Sequence, residues 1–172
     1  GDERAIELSN VSKSGPFEIP FRHMVTAVQI ARGDEEQLFV ALKRSGYDVI
    51  SRREEILGRA RNVLVWLEKY APKYVKFQLQ ETLPAAVNNL SPAERQALGL
   101  LAGRIEDKSA AEIHDLVYVV AKEMDLDSKK FFQAIYLTFL GDRQGPKVGW
   151  VLASLDRDFV RTRLAAASAS SA

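Results

Sequence analysis

The stretch that decides the fold is Phe131–Leu164, FFQAIYLTFLGDRQGPKVGWVLASLDRDFVRTRL. Its first part predicts a helix that ends at Gly141 and carries one broad apolar face, formed by Phe131, Phe132, Ile135, Tyr136, Phe139 and Leu140. After a charged turn, Gly145-Pro146 begins a second helical stretch, because proline at the first helical position loses no hydrogen bond. A third short helix follows the turn at Asp156. The stretch therefore predicts two short helices after a long one, with cations at the turns.

Basic residues are concentrated in this same stretch. The candidates there for binding an anionic partner are Arg143, Lys147, Arg157, Arg161 and Arg163. Acidic residues lie among them, so a solvated, salt-bridged surface is the alternative interpretation. A second basic cluster contains Arg52 and Arg59, whose spacing predicts a shared outward helix face. Trp150 is a further candidate, because an accessible indole can stack on an unpaired base.

Capping sequences predict helix starts along the rest of the chain. Ser51–Glu54, Ser91–Glu94 and Ser109–Glu112 each have the Ser-x-x-Glu spacing, in which the two side chains satisfy N–H groups at a helix start. Apolar residues spaced by three and four follow each of them, which is typical of amphipathic helices. Tyr74–Gln80 instead alternates apolar and polar residues without a partner strand. It is predicted to be an extended crossover between two helical lobes.

The predicted fold class is all-α, a compact multi-helix domain without a repeat of fixed period. We expect residues 1–18 to be irregular and residues 19–164 to form the helical domain, with lobes at about 19–72 and 90–164. Residues 165–172 contain only alanine and serine and are predicted to be a disordered tail.

Composition narrows the functional classes. The 172 residues include no cysteine, which excludes disulfides, thiol catalysis and cysteine-based zinc sites. The net charge of +1 is too low for binding nucleic acid by charge alone, so any RNA-binding cations must be clustered. No apolar run is long enough to span a membrane and no secretory signal is evident, which suits a cytoplasmic protein.

The residue patterns contain no catalytic constellation. Both histidines, His23 and His114, are interpreted as structural or surface residues, since neither has carboxylates at metal-ligand spacing. Phosphate-loop and nucleophile-elbow patterns are missing as well. We therefore expect no catalytic residue, no metal and no cofactor in this chain, and no enzymatic activity of its own.

Three short motifs resemble one known family. Leu140–Gly149, LGDRQGPKVG, is similar to the Leu-Gly-x-x-x-Gly-Pro-basic-x-Gly turn near the carboxyl end of class I lysyl-tRNA synthetases. Ile19–Val25, IPFRHMV, and Trp66–Pro72, WLEKYAP, look like the same family in the same order. The resemblance covers nearly the whole chain. Glutamyl-type class I synthetases have a weaker form of the last motif and are the near alternative.

The resemblance implies a helical anticodon-binding domain of the class I carboxyl-terminal type. Its partners would be tRNA, lysine tRNA in particular, and the catalytic domain of the same polypeptide, where ATP would serve lysyl-tRNA formation; neither DNA nor a membrane is expected. Asn10–Ser14 resembles the signature loop of the class I catalytic domain, but no βαβ pattern surrounds it, so we interpret it as a polar loop. A helical protein-interaction module with purely structural cations is the alternative from another functional class.

Overall fold

The computed structural model describes residues 18–170, so residues 1–17, with Asn10–Ser14 among them, and residues 171–172 lie outside the described residues. Within that range the chain forms eight α-helices and no strand, which confirms the all-α prediction. The helices are α1 (Phe21–Ala31), α2 (Glu35–Arg44), α3 (Arg53–Lys69), α4 (Pro92–Arg104), α5 (Ala110–Glu123), α6 (Ser128–Leu140), α7 (Val148–Ser154) and α8 (Arg157–Ala169). Two short 3₁₀ turns, Lys73–Val75 and Ala85–Asn89, lie between α3 and α4.

Two hydrophobic cores divide the described residues. The N-terminal lobe, α1–α3, packs around side chains such as Met24, Leu42 and Ile56. The C-terminal lobe, α4–α8, packs around a larger set that includes Phe131 and Phe139 of α6. The apolar spacings in the sequence produce these cores because residues three and four apart share one side of a helix.

Two of the three predicted capping boxes are present. Ser91 and Ser109 each accept a hydrogen bond from the backbone N–H of the glutamate three residues on, and that glutamate accepts from the serine N–H. The capping box predicted at Ser51 is wrong. Asp48 accepts hydrogen bonds from the Ser51 hydroxyl and backbone, and α3 begins two residues later at Arg53 without a side-chain cap.

The turn between α6 and α7 differs in detail from the prediction. Gly141 ends α6 in the left-handed conformation, at φ 72°, as glycine commonly does. Pro146 is not the first helical residue, since α7 begins at Val148. Instead, the Tyr136 hydroxyl donates a hydrogen bond to the Pro146 carbonyl at 2.7 Å and fixes the turn against α6. The Gly-Pro pair therefore shapes a bend ahead of the helix.

Helix α7 joins the two lobes. It packs on α5 within its own lobe and on α1 and α2 of the other lobe. Gly149 allows this close approach, because a Cβ there would come within 2.1 Å of the Ala110 carbonyl oxygen. The Ser154 hydroxyl of α7 lies 2.9 Å from the Ser45 hydroxyl at the end of α2. A seven-residue helix thus carries much of the interlobe contact.

The alanine-serine segment is helical as far as Ala169, which corrects the prediction of a disordered tail from residue 165. Ala167 is fully buried, and Ser168 packs so closely on Gly99 of α4 that a Cβ on that glycine would lie 2.5 Å from the serine hydroxyl. Small residues on both helices let their backbones come together. The apolar spacing of the tail was weak because alanine contributes little area to such a pattern.

The crossover predicted for Tyr74–Gln80 is confined to residues 76–80, because Tyr74 and Val75 belong to the 3₁₀ turn Lys73–Val75. The Gln29 side chain of α1 donates to the Val75 carbonyl at 3.2 Å and accepts from the Phe77 N–H at 3.0 Å. At the other end, the Gln80 N–H donates to the Phe139 carbonyl at 2.8 Å. The crossover is therefore attached to both lobes through its backbone.

Candidate nucleic-acid interface

A stacked pair of rings lies at the joint between the lobes. His23 of α1 is buried, with 1% of its surface exposed, and its imidazole lies parallel to the Trp150 indole of α7 at 4.7 Å. Its Nδ1 is hydrogen-bonded to the Tyr47 hydroxyl at 3.1 Å. Burial lowers the pKa of His23 to about 4, so the ring is neutral at neutral pH. This agrees with the structural role predicted for His23 and gives Trp150 a fixed orientation.

Two cations lie over the Trp150 ring. The guanidinium carbon of Arg22 is 5.6 Å from the ring centroid, and the Lys147 ammonium is 5.5 Å from it. Arg22 comes from α1 and Lys147 from the turn before α7, so the two lobes supply one cation each. Cations over an indole form favourable cation–π contacts, which place positive charge beside an aromatic surface.

An open groove of about 230 Å³ extends from this pair along the joint. We call it the interlobe groove; its aromatic lining consists of Phe21, Trp66, Tyr74 and Trp150. The Phe21 and Trp66 rings meet edge to face at 5.1 Å, yet Phe21 remains 49% exposed and Tyr74 68% exposed. The spacing of Phe21 from Val25 and Val28 fits the apolar stripe of α1 and predicts a core position for its ring, which is wrong. Its exposure is instead explained by its position at the mouth of the groove.

The cations around the groove lack acidic partners among the described residues. Arg22 and Lys147, which line the groove, and Arg143, in the turn that leads to it, are exposed, and their side chains make no ion pair and no hydrogen bond in the part of the chain that the structure describes. Arg143 and Lys147 flank the bend that Pro146 and Gly141 define. The sequence prediction placed these two cations at a fixed turn, and the structure does the same.

Two predicted candidates on α8 bind other parts of the protein. Arg157 donates to the Ile105 and Lys108 carbonyls, which accept at 2.5 and 3.0 Å, so it holds the turn that follows α4. Arg161 pairs with Glu106 at 2.5 Å and lies 3.8 Å from Asp158. The Arg161 charge is therefore paired, and the Arg157 guanidinium is held by backbone carbonyls, within the C-terminal lobe.

Arg163, predicted as an RNA-binding candidate, is buried and only 6% exposed. Its guanidinium donates to the carbonyls of Thr138, Gln80 and Glu81 at 2.9–3.1 Å and packs over the Phe159 ring. Burial lowers its pKa from the usual value. The prediction is corrected here, because these donors hold the crossover and cannot also reach a phosphate.

The second basic cluster also differs from the prediction. Arg59 does not point outward from α3, since its guanidinium donates to the Ile19 carbonyl at 2.6 Å and holds the chain just before α1. Arg52 precedes the helix and pairs with Glu55 at 3.3 Å. The two side chains therefore do not form one open basic face.

A family model described as "Anticodon binding domain" matches residues 55–168. This range begins in the first turn of α3 and ends one residue before the end of α8. The chain belongs to the anticodon-binding domain family.

Relatives of this anticodon-binding domain are lysine–tRNA ligases from archaea. It is 40% identical over 168 residues to the lysine–tRNA ligase of Archaeoglobus fulgidus, which covers 96% of this chain and 33% of that protein. Lysine–tRNA ligase 1 of Methanosarcina acetivorans is 38% identical over 97% of this chain and 35% of its own length. The lysine–tRNA ligase of Thermoplasma acidophilum is 35% identical over 92% of this chain and 31% of its own length. The resemblance seen in the motifs is thereby confirmed, and the chain spans about a third of the length of the relatives that it matches.

The three motifs that carried the resemblance meet at the interlobe groove. Ile19–Val25 supplies Phe21 and Arg22, Trp66–Pro72 supplies Trp66, and Leu140–Gly149 supplies the turn with Lys147. Sequence reasoning named Lys147 and Trp150 but missed Phe21, Arg22, Trp66 and Tyr74. Their presence in or beside the matched motifs was the available signal, because residues from separate motifs that face solvent together are candidates for binding.

Neither a metal site nor a membrane-spanning helix is found among the described residues of the anticodon-binding domain. Residues 18–170 contain no group of three or more histidine, aspartate and glutamate side chains placed to hold a metal ion. Within the same range, none of the helices has the length and apolar character needed to cross a bilayer. His114 packs against Tyr118 and Phe132 on α5 and α6 and does not line the groove.

Proposed function

We propose that this domain holds the anticodon loop of a tRNA, that of lysine tRNA in particular, within a lysine–tRNA ligase. The observation that carries the proposal is the interlobe groove, where exposed rings and unpaired cations from the three matched motifs converge. The relatives favour lysine tRNA, since those described above are lysine–tRNA ligases.

The chemistry of the groove suits an RNA loop. Bases in a loop are unpaired, so they can stack on aromatic side chains while cations bind the neighbouring phosphates. Trp150 is pre-oriented by its contact with His23, which reduces the entropy lost when a base stacks against the groove. Lys147 and Arg22 supply positive charge in the groove, and Arg143 adds a cation in the turn that leads to it; none of the three side chains would lose an ion pair among the described residues.

The chemical step belongs elsewhere in this proposal. Activation of lysine with ATP and its transfer to tRNA would be carried out by a catalytic domain of the same polypeptide, because the relatives are about three times as long as this chain. The proposed location of this reaction is the cytoplasm. Within this domain no cofactor is needed to bind an RNA loop. ATP–pyrophosphate exchange with lysine, in material free of host synthetase, should accordingly be undetectable for residues 1–172, and measurable exchange would contradict this division.

The proposal is tested by salt-dependent binding to a fluorescent anticodon stem-loop of lysine tRNA. Each phosphate contact to single-stranded RNA contributes about 0.7 to the slope of log K against log salt. The double change Arg143→Ala and Lys147→Ala should therefore weaken binding and flatten the slope by about 1 to 1.5. Thermal stability should hardly change, because exposed cations contribute little to it.

The matched control is the double change Lys129→Ala and Lys130→Ala. These exposed lysines lie in the first turn of α6, about 18 Å along that helix from the turn at Gly141. This control removes the same charge as the double change of Arg143 and Lys147. An equal loss of affinity would therefore mean that binding depends on net charge and not on the groove. A preference for glutamate tRNA would instead support the glutamyl-type alternative. Equal binding of a scrambled RNA would support the interaction module.

A further inference from the structure

A second hollow of about 360 Å³ adjoins the interlobe groove. We call it the polar cleft; it is lined by Lys73, Tyr74, Lys76, Phe77, Gln78, Leu140, Asp142 and Gln144. Tyr74 lines both hollows, and Gln144 of the cleft is followed directly by Gly145 of the groove. The two hollows are therefore neighbours that share Tyr74 as a lining residue.

The backbone on both sides of the polar cleft is held in place. On one side, Gln29 binds the backbone of Val75 and Phe77, and Arg163 binds the carbonyl of Gln80. On the other side, the Tyr136 hydroxyl binds the Pro146 carbonyl, and the Asp142 carboxylate accepts from the Arg143 N–H at 2.7 Å. Walls that are ordered before binding lose less entropy when a ligand enters.

The side chains that reach into the cleft are, by contrast, exposed and uncommitted. The amides of Gln78 and Gln144 and the ammonium groups of Lys73 and Lys76 have no side-chain partner in the described range 18–170. A side-chain amide offers both donors and an acceptor, which matches the edges of nucleobases. The two lysines lie at the rim of the cleft with Asp142, its one acidic lining residue, so the chemistry favours an anionic ligand with polar edges.

We propose that the RNA strand continues from the interlobe groove into the polar cleft, with consecutive unpaired bases on the two sides of the Tyr74 ring. Lys73 and Lys76 bind the phosphate of the second nucleotide, and Gln78 and Gln144 bond the edge of its base. The groove thus contributes stacking and the cleft contributes base discrimination. This inference rests on the proposed function, which it deepens by naming two adjacent nucleotides as the ligand.

The test measures the affinity of residues 1–172 and of the Tyr74→Ala variant for anticodon stem-loops in which each loop nucleotide in turn is abasic. Stacking of one base on an aromatic side chain changes affinity by roughly ten-fold. Tyr74→Ala should therefore weaken the intact loop by about ten-fold. It should have little further effect on the loops that are abasic at either of two adjacent positions. Tyr70→Ala is the matched control, since Tyr70 is 73% exposed at the end of α3 and lines neither hollow.

The double change Gln78→Ala and Gln144→Ala tests base discrimination. It should relax the preference for the native base at one of those two positions and leave the preference at the other unchanged. Three results with Tyr74→Ala would overturn the inference. The loss of affinity could be equal for all abasic loops, it could be absent altogether, or the abasic positions that remove it could be non-adjacent.

The failure of this inference can be told apart from failure of the proposed function. If Arg143→Ala with Lys147→Ala weakens binding while the Tyr74 and glutamine variants bind every loop as the parent chain does, the groove stands and the path into the cleft is wrong. If the cation variant also binds as the parent chain does, the proposed function itself fails. Far-ultraviolet circular dichroism of each variant identifies any loss of fold.

Discussion

The three arginines of α8 in the C-terminal lobe bind groups within the protein, whereas α1 of the N-terminal lobe leaves an aromatic ring and a cation exposed beside the joint. In the first, Arg157 and Arg163 donate to backbone carbonyls. In the second, Phe21 and Arg22 face the interlobe groove. Buried cations must be paired, because an unpaired charge away from water is very costly. The number of basic residues in a segment therefore says little about ligand binding until their partners are known.

The lobes also differ in the size of their cores, since three helices surround the described N-terminal core and five surround the other. We expect Phe139→Ala, in the C-terminal core, to lower the free energy of unfolding by about 3–5 kcal/mol, since removal of a buried ring leaves a cavity. Amide protection should fall in both lobes, because α7 links them.

Met24→Ala is the corresponding change in the N-terminal core. It should lower the free energy of unfolding by about 2–5 kcal/mol. Hydrogen exchange should then show the larger loss of amide protection in α1–α3. Equal losses in both lobes for both variants would show that they unfold as one unit, and the contrast between them would not extend to stability.

The buried histidine at the joint between the lobes should make the stability of the protein depend on pH. His23 has its pKa lowered to about 4 by burial, whereas an unfolded histidine titrates near 6.5. The unfolded chain therefore binds more protons between these values, and stability, complete above pH 6.5, should fall as the pH is lowered towards 4. The fall should approach about 3 kcal/mol, measured by urea denaturation at a series of pH values.

His23→Gln should flatten this profile, because glutamine can retain a hydrogen bond to Tyr47 without titrating. His114→Gln is the control. Burial also lowers the pKa of His114, so its profile should flatten too, but less, since His114 is only partly buried. A profile for His23→Gln as steep as that of the parent chain would mean that the joint opens before this histidine is protonated.

The smallest expected effect concerns the helix caps of the two lobes. Ser109→Ala should lower stability by about 1 kcal/mol, because an N–H at the start of α5 loses its partner. Ser51→Ala should have a smaller effect, since Ser51 bonds Asp48 rather than the start of α3. Thermal denaturation of both variants would separate them, and equal shifts would indicate that Ser51 contributes to its helix by another route.

Local patterns in the sequence were sufficient for the helices and the crossover, because burial follows residue spacing and the caps at Ser91 and Ser109 involve neighbours in the chain. They were insufficient where distant groups compete. Asp48 takes the hydroxyl that Ser51 would give to a cap, and three carbonyls from two separate segments surround Arg163. Spacing on one helix cannot reveal such partners.

The candidate site shows the same division. Lys147 and Trp150 were identified from a basic turn with an aromatic residue beside it. Phe21 was assigned to the core, because its spacing from Val25 fits an apolar stripe, yet it faces the groove. Only the placement of α1 against the end of α3 and the turn before α7 distinguishes these positions.

The assembly of the interlobe groove has a consequence for protein synthesis. Its walls come from residues near positions 21–26, 66–75 and 145–150, so they are far apart in the order in which a ribosome makes the chain. The nascent N-terminal lobe carries Arg22 and Phe21 long before the last wall is translated, since elongation adds roughly 5–20 residues per second. A chain interrupted before the Gly-Pro bend would present an aromatic surface without its opposite wall. If the finished domain binds tRNA as proposed, truncated products would therefore not compete with it for tRNA.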